Sequence, residues 1–247
     1  MMGRHHALLG GVVWLGVGAL SHMAPEALAA STGTCAAAAI LPDIDEPGST
    51  VAHLCGPVTE MVAFLTKRLS GGHRHATHSA LAVAAAGALG LAVTPWSGAR
   101  AVLLGLLLAL FFRVLAPPPL RYRLVCFAAG GIAAWTCVHY VSTRWLAPAL
   151  PAGVALHLVG DMLTEGGVPL LWPNLRHFSC AVLGHTHSLR ESVFGIAMWA
   201  AFLGLALVVF GGHELGWLGH LERATRISCA HLPSQLVSSA LCHGPRR

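Results

Sequence analysis

The sequence predicts an all-α fold, a polytopic helical bundle embedded in a membrane with about five to seven spans, and three observations predict it. The first is composition: of 247 residues, 55% are hydrophobic and 10% carry a charge, against about 25% charged in a water-soluble domain. The mean hydropathy of +0.66 agrees. The second is a series of apolar runs, at 7–21, 27–42, 80–97, 101–116, 124–141, 146–160 and 192–212. The third is the placement of basic residues. If Arg4 lies inside and all seven runs cross, the inside loops hold Lys67, Arg68, Arg74, Arg113, Arg121, Arg123, Arg176 and Arg190, against Arg100 and Arg144 outside. This is the asymmetry of a cytoplasmic membrane protein of the bacterial inner-membrane type. Disorder and a nucleic-acid-binding body are excluded by the same apolar composition, so no direct nucleic-acid binding is expected. The surplus of 15 basic over 10 acidic residues reads as topology and contact with membrane lipid.

Taken in order, the run at 7–21 follows Arg4 and precedes Ala27-Leu28-Ala29, a pattern that also fits a cleavable signal peptide. The six residues between the apolar core and that site, including His22, Pro25 and Glu26, favour a retained helix. Residues 43–79 form the longest polar stretch. The run at 101–116 is closed by Pro117, Pro118 and Pro119, which cannot continue a helix. Only the run at 192–212 has full spanning length, about 20 residues. Residues 1–212 are read as the membrane-embedded domain and 213–247 as a less apolar tail. Seven scattered cysteines without a C-x-x-C pair indicate neither a disulfide framework nor a thiolate zinc site.

Against this background, 16 His and three Asp stand out. In LPDIDEPGST, residues 41–50, Asp43 and Asp45 present two carboxylates from a short segment, suited to one cation or to two bridged ones. Pro, Asp and Gly are equally ordinary residues of a helix exit. In GGHRHATHSA, residues 71–80, His73, His75 and His78 offer imidazoles, and Thr77 or Ser79 is placed to cap the following helix. In ALHLVGDMLTEGGVPLLWP, residues 155–173, His157 and Asp161 are four apart and share a helical face. Such a pair within an apolar helix is costly unless it meets a partner or a cavity, and marks a functional site or a tie between helices. His185, His187 and Glu191 form a weaker group before the last run. No phosphate-binding Gly loop, G-x-S-x-G elbow or H-E-x-x-H helix is present.

In combination these motifs resemble the YdjM-like family, described as LexA-binding, inner-membrane-associated, metal-dependent hydrolases. The resemblance runs over residues 1–175. It rests on His6 before the first apolar run, then Asp43, Asp45, Pro47 and Ser49, then His73, Arg74, Thr77, His78 and Ser79, then His157, Asp161, Thr164, Gly167, Val168 and Pro169. The chain departs from the family pattern at Glu46, where the family often has His. The LexA-binding description is not carried over to this chain. What the resemblance implies is a membrane-bound metal site with hydrolase potential. The expected centre comprises His6, Asp43, Asp45, His78, His157 and Asp161, with His73 as a further ligand. Nitrogen-rich ligation favours Zn²⁺ over Mn²⁺ or Mg²⁺. Asp43 or Asp45 is the expected base, and Arg74 the expected anchor for an anionic group such as a phosphate. A phosphoester or lipid-like substrate at the cytoplasmic face follows from location. The competing classes are a non-catalytic adaptor stapled by a metal or a His–Asp network, and a transporter, which would place its polar residues at the midplane instead.

Overall fold

The computed structural model describes residues 1–117 and 120–230, with side chains as far as residue 211. All seven apolar runs are helical and an eighth helix lies in the polar stretch. They are α1 (Gly3–Leu20), α2 (Pro25–Ala38), α3 (Pro57–Ser70), α4 (Ala80–Val93), α5 (Ser97–Leu115), α6 (Arg123–Tyr140), α7 (Leu146–Met162) and α8 (Leu189–Ala230). Two 3-10 turns, Leu41–Asp45 and Ala76–His78, follow α2 and precede α4. Among the described residues no strand forms; two isolated bridges, Thr164 with Gly184 and Val168 with Phe178, tie down the segment after α7. Met1–Leu203 forms one compact unit, containing α1 to α7 and the first part of α8, and the described residues from Gly204 on, in which α8 continues to Ala230, belong to a second. Of the sequence features named above, Pro118, Pro119 and residues 231–247 of the tail lie outside the described residues.

Among the described residues three segments are long and apolar enough to cross a membrane, Pro25–Asp45, Ser97–Leu115 and Leu189–Gly211, while Ala80–Val93 and Leu146–Met162 are apolar but shorter. The first of the three is the innermost: α2 packs against α1, α5 and α7, and Cys35, Ala36, Ala37, Ala38 and Ala39 are fully buried. Pro25 starts α2 at a position where its missing N–H costs nothing. Two of its interior polar residues are satisfied, Thr34 Oγ1 donating to the Ala30 carbonyl at 2.9 Å and Ser31 Oγ accepting from Trp14 Nε1 of α1 at 2.8 Å, whereas buried Thr32 Oγ1 has no partner. Small residues let the backbones approach. A Cβ on Gly10 of α1 would lie 2.9 Å from Ala39 Cβ, and one on Gly153 of α7 would lie 2.6 Å from Ala38 Cβ.

The polar stretch 43–79 is more ordered than its composition predicts. Within it, α3 places Val58, Met61, Val62, Leu65 and Leu69 on one exposed stripe and turns Ala63 and Ser70 inward. The spacing is that of a single helical face. An apolar stripe turned outward, flanked by Arg68, has the character of a helix lying in a lipid interface rather than on a water-soluble core. Gly71, in the left-handed region at φ +91°, ends it.

Candidate metal centre

The N-terminal end of α1, the turn after α2, the segment before α4 and the C-terminal end of α7 all lie at one end of the first unit. Four distant stretches of sequence therefore converge, because successive helices start or finish there. His157 on α7 is fully buried; its Nδ1 donates to the Ala39 carbonyl at the end of α2, 2.8 Å away. A carbonyl only accepts, so this bond puts the His157 proton on Nδ1 and leaves the Nε2 lone pair facing inward. There it meets His78 Nε2 at 3.1 Å. Asp43 Oδ1 lies 3.7 Å from both Nε2 atoms, and Asp161 Oδ2 3.6 Å from both. His6 stacks on His157, ring centroids 3.8 Å apart, with its Nε2 3.3 Å from Asp161 Oδ1.

These separations bear on whether a cation fits. Donor atoms at about 2.0–2.1 Å from a tetrahedral ion stand about 3.3 Å apart, the range observed around the two Nε2 atoms. Electron pairs from imidazoles and carboxylates directed at one point repel unless a positive charge lies among them. His6 Nδ1, buried, has no hydrogen-bond partner. Among the described residues three groups are arranged so that they could hold a metal: His6, His157 and Asp161; Asp43, His78 and His157; Asp45, His73 and His78. The buried His and Asp residues therefore suit a divalent cation.

Asp43 and Asp45 fall in different groups, Asp43 with His78 and His157, Asp45 with His73 and His78. The sequence suggested two carboxylates offered to one ion or to bridged ions, but in a 3-10 turn residues two apart point about 240° from each other around the axis. Asp43 faces His78 and His157. Asp45, fully buried, is engaged on both oxygens: Oδ1 by His73 Nδ1 at 2.7 Å, Oδ2 by the Arg74 N–H at 3.1 Å and the Thr77 hydroxyl. Ser79 takes the N-cap position of α4, but neither its side chain nor that of Thr77 caps the helix. Ser79 Oγ donates to the Ala76 carbonyl, and the first N–H of α4, on Ala80, is taken by the Leu170 carbonyl at 2.9 Å. The Thr77 hydroxyl, donating to Asp45, accepts from His78 Nδ1 at 3.0 Å. That relay orients the His78 ring.

Arg74 adopts φ +60°, a conformation L residues seldom take, and its guanidinium reaches Asp161 Oδ1 at 3.0 Å with part of the side chain still exposed. Of the two adjacent N-terminal histidines, His6 meets the cluster and His5 pairs with buried Glu191, Nδ1 to Oε1 3.0 Å. Glu191 also accepts the His187 N–H at 2.7 Å, whereas the His185 and His187 side chains are exposed. The Ala39 carbonyl and the Thr77 relay went unseen in the sequence. A backbone oxygen carries no residue signature, and a Thr beside a His has several ordinary uses.

His78 lies outside the long apolar helices. Burial disfavours its charged form, but the carboxylates of Asp43, Asp45 and Asp161 close to its ring outweigh that, and its pKa is pushed up to about 9. At neutral pH the proton on His78 supplies the positive charge the cluster needs. Loading with Zn²⁺ near pH 7 is therefore expected to release that proton, with apparent affinity climbing about tenfold per pH unit until about pH 9. A pH-indicator dye in weak buffer reads the release; affinity independent of pH below that range would contradict it.

The family model of the YdjM inner membrane protein matches residues 1–117 and 123–224. Neither a curated relative nor a solved structure matches the chain. A match covering nearly the whole sequence, on an all-helical chain with apolar helices of spanning length, makes this a membrane protein that belongs to the YdjM inner membrane protein family.

Proposed function

We propose that this chain is a metal-dependent hydrolase of the inner membrane, acting at the cytoplasmic face on a phosphoester or lipid-like substrate. The observation that carries the proposal is the contrast in exposure around one donor cluster. His6, His78, His157 and Asp161 are buried, whereas Asp43, His73 and Arg74 retain exposed side-chain surface. A structural site is closed by protein on every side; a catalytic one keeps an open position.

His6, His78, His157, Asp161 and Asp43 would hold the cation, and the abundance of imidazole nitrogen favours Zn²⁺, with Mn²⁺ or Mg²⁺ as alternatives. A divalent ion supplies Lewis acidity toward a phosphoryl or carbonyl oxygen and makes water more acidic. Asp43, the carboxylate at the exposed edge, would face the cation through Oδ1 and leave Oδ2 as the base that takes a proton from attacking water. Asp45, occupied on both oxygens, positions His78 and His73. Arg74 holds an anionic group of the substrate with the donors its Asp161 pair leaves free.

A second reading draws on the Arg74–Asp161 and His73–Asp45 pairs, which partly neutralise the cluster without metal: a His–Asp–Arg network stapling helices in a non-catalytic adaptor. One measurement separates the two. Protein purified in detergent without a polyhistidine tag is expected to carry about one or two Zn²⁺ or Mn²⁺ per chain by elemental mass spectrometry, lost in Asp161→Ala. No metal in the wild type, even after reconstitution, would favour the staple.

A further inference from the structure

Beside the cluster lies a cavity of about 390 Å³, within the range of about 300–1,000 Å³ typical of small-molecule sites. It runs between α4 and α7. One end is made by Leu41, Pro42 and Ile44, interleaved with Asp43 and Asp45 in the same turn, and by Thr77, the neighbour of His78. From there it follows α4 from Leu81 to Leu89, about 12 Å along the helix axis. The reason for the gap is legible in the helix. Ala82, Ala85 and Ala86 are too short to fill the space toward Leu150 and Val154, while Gly90 brings the far end of α4 against the α7 backbone, where a Cβ would stand 3.0 Å from Ala147 Cα.

The lining has one polar side chain, Thr77, and its hydroxyl is committed to Asp45. The rim residues Leu81 and Leu89 are exposed, so the groove opens on an apolar outer face of a membrane protein. Hydrocarbon is what such a face meets. At the polar end the Thr77 hydroxyl and the Arg74 N–H share Asp45 Oδ2, which ties the groove to the His/Asp cluster, and the partly exposed Arg74 guanidinium is paired with Asp161 of that cluster. An apolar slot leading to a cluster that holds a guanidinium suits an amphiphile with one anionic head.

We infer that the groove between α4 and α7 binds a single alkyl or acyl chain, and that the ligand of this site is a lipid phosphoester whose head group reaches Arg74 and the His/Asp cluster. The inference rests on the hydrolase reading for what happens to the head group, not for the seating of the chain.

The test uses the full chain reconstituted in phosphatidylcholine vesicles and a dodecylphosphonate carrying a mid-chain diazirine, which cannot be hydrolysed. After irradiation, adducts mapped by peptide mass spectrometry are expected on Leu81, Ala85, Leu89, Leu150 and Val154. Excess dodecylphosphonate should compete with them and methylphosphonate should not. Ala85→Trp, which fills the groove, should reduce them about tenfold, with Ala85→Leu as a milder plug should the first variant not fold. Adducts spread evenly over the apolar faces of α5 and α8, or unchanged in the folded plug variants, would overturn the inference. Absence of metal and of turnover would instead remove the hydrolase reading and leave the labelling pattern standing, so the two failures are distinguishable.

Discussion

His157→Ala is expected to lower metal affinity by more than about a hundredfold and to abolish turnover. His157 does three things at once: its Nδ1–H is held by the Ala39 carbonyl, its Nε2 faces His78, Asp43 and Asp161, and its ring stacks on His6. The alanine variant deletes an inward-facing donor and the stacked surface, and leaves the Ala39 carbonyl unpaired at a cost of about 1–3 kcal/mol. That cost alone should not unfold the bundle, whose packing is made elsewhere by α1, α2, α5 and α7. The measurement pairs metal content with thermal unfolding in detergent. A folded variant without metal or turnover supports a centre at His157; retained hydrolysis in that variant would exclude it. Collapse of the fold in metal-free protein would point to the staple.

Gly153→Ala should be among the damaging single methyl groups in the described interior. The added Cβ would lie 2.6 Å from Ala38 Cβ and 2.9 Å from Ala39 N, and would press on the Cys35 carbonyl. Two of these three are backbone atoms of α2 and the residue that follows it, so no side-chain rotation relieves the contact and the helices must separate. Overpacking of this kind costs about 1–3 kcal/mol. It also has a local consequence. Ala39 anchors His157, one helical turn beyond Gly153, so the displacement should pull the carbonyl from Nδ1 and weaken metal binding too. Gly131→Ala on α6 is the control. Nothing lies within 4 Å of its Cβ position, and removing a helical glycine is expected to be neutral or to stabilise by about 0.5–1 kcal/mol. Thermal unfolding of the two variants side by side measures the difference; equal midpoints would contradict the close approach of α2 and α7.

Much of the site was legible before any fold was known, for a reason tied to the membrane. In an apolar chain each ionisable residue within a helix is conspicuous, so His157 and Asp161 stood out at their i, i+4 spacing and Asp43, Asp45, His73 and His78 stood out by their clustering. The division of labour between Asp43 and Asp45 was not legible. It depends on the turn after α2 being 3-10, which sends neighbouring carboxylates in different directions. His6 rather than His5 was the expected ligand, and a single step of helical rotation brings His6 to Asp161 and turns His5 to Glu191. α3 was hidden in the polar stretch because its stripe of five apolar residues is interspersed with Thr, Glu, Lys and Arg.

Composition and apolar runs by themselves determined that this is a helical membrane protein, because so few charges cannot cover a water-facing surface and backbone groups in hydrocarbon must be satisfied within the helix. They also determined which residues are chemically capable of holding a metal. Only the tertiary structure decided that residues as far apart as His6, Asp43, His78 and His157 fall in overlapping groups joined at His157, and that an apolar groove begins beside them. Those outcomes depend on how closely α2 can approach α1 and α7, set by glycines and alanines whose small size acts only once the helices are packed together.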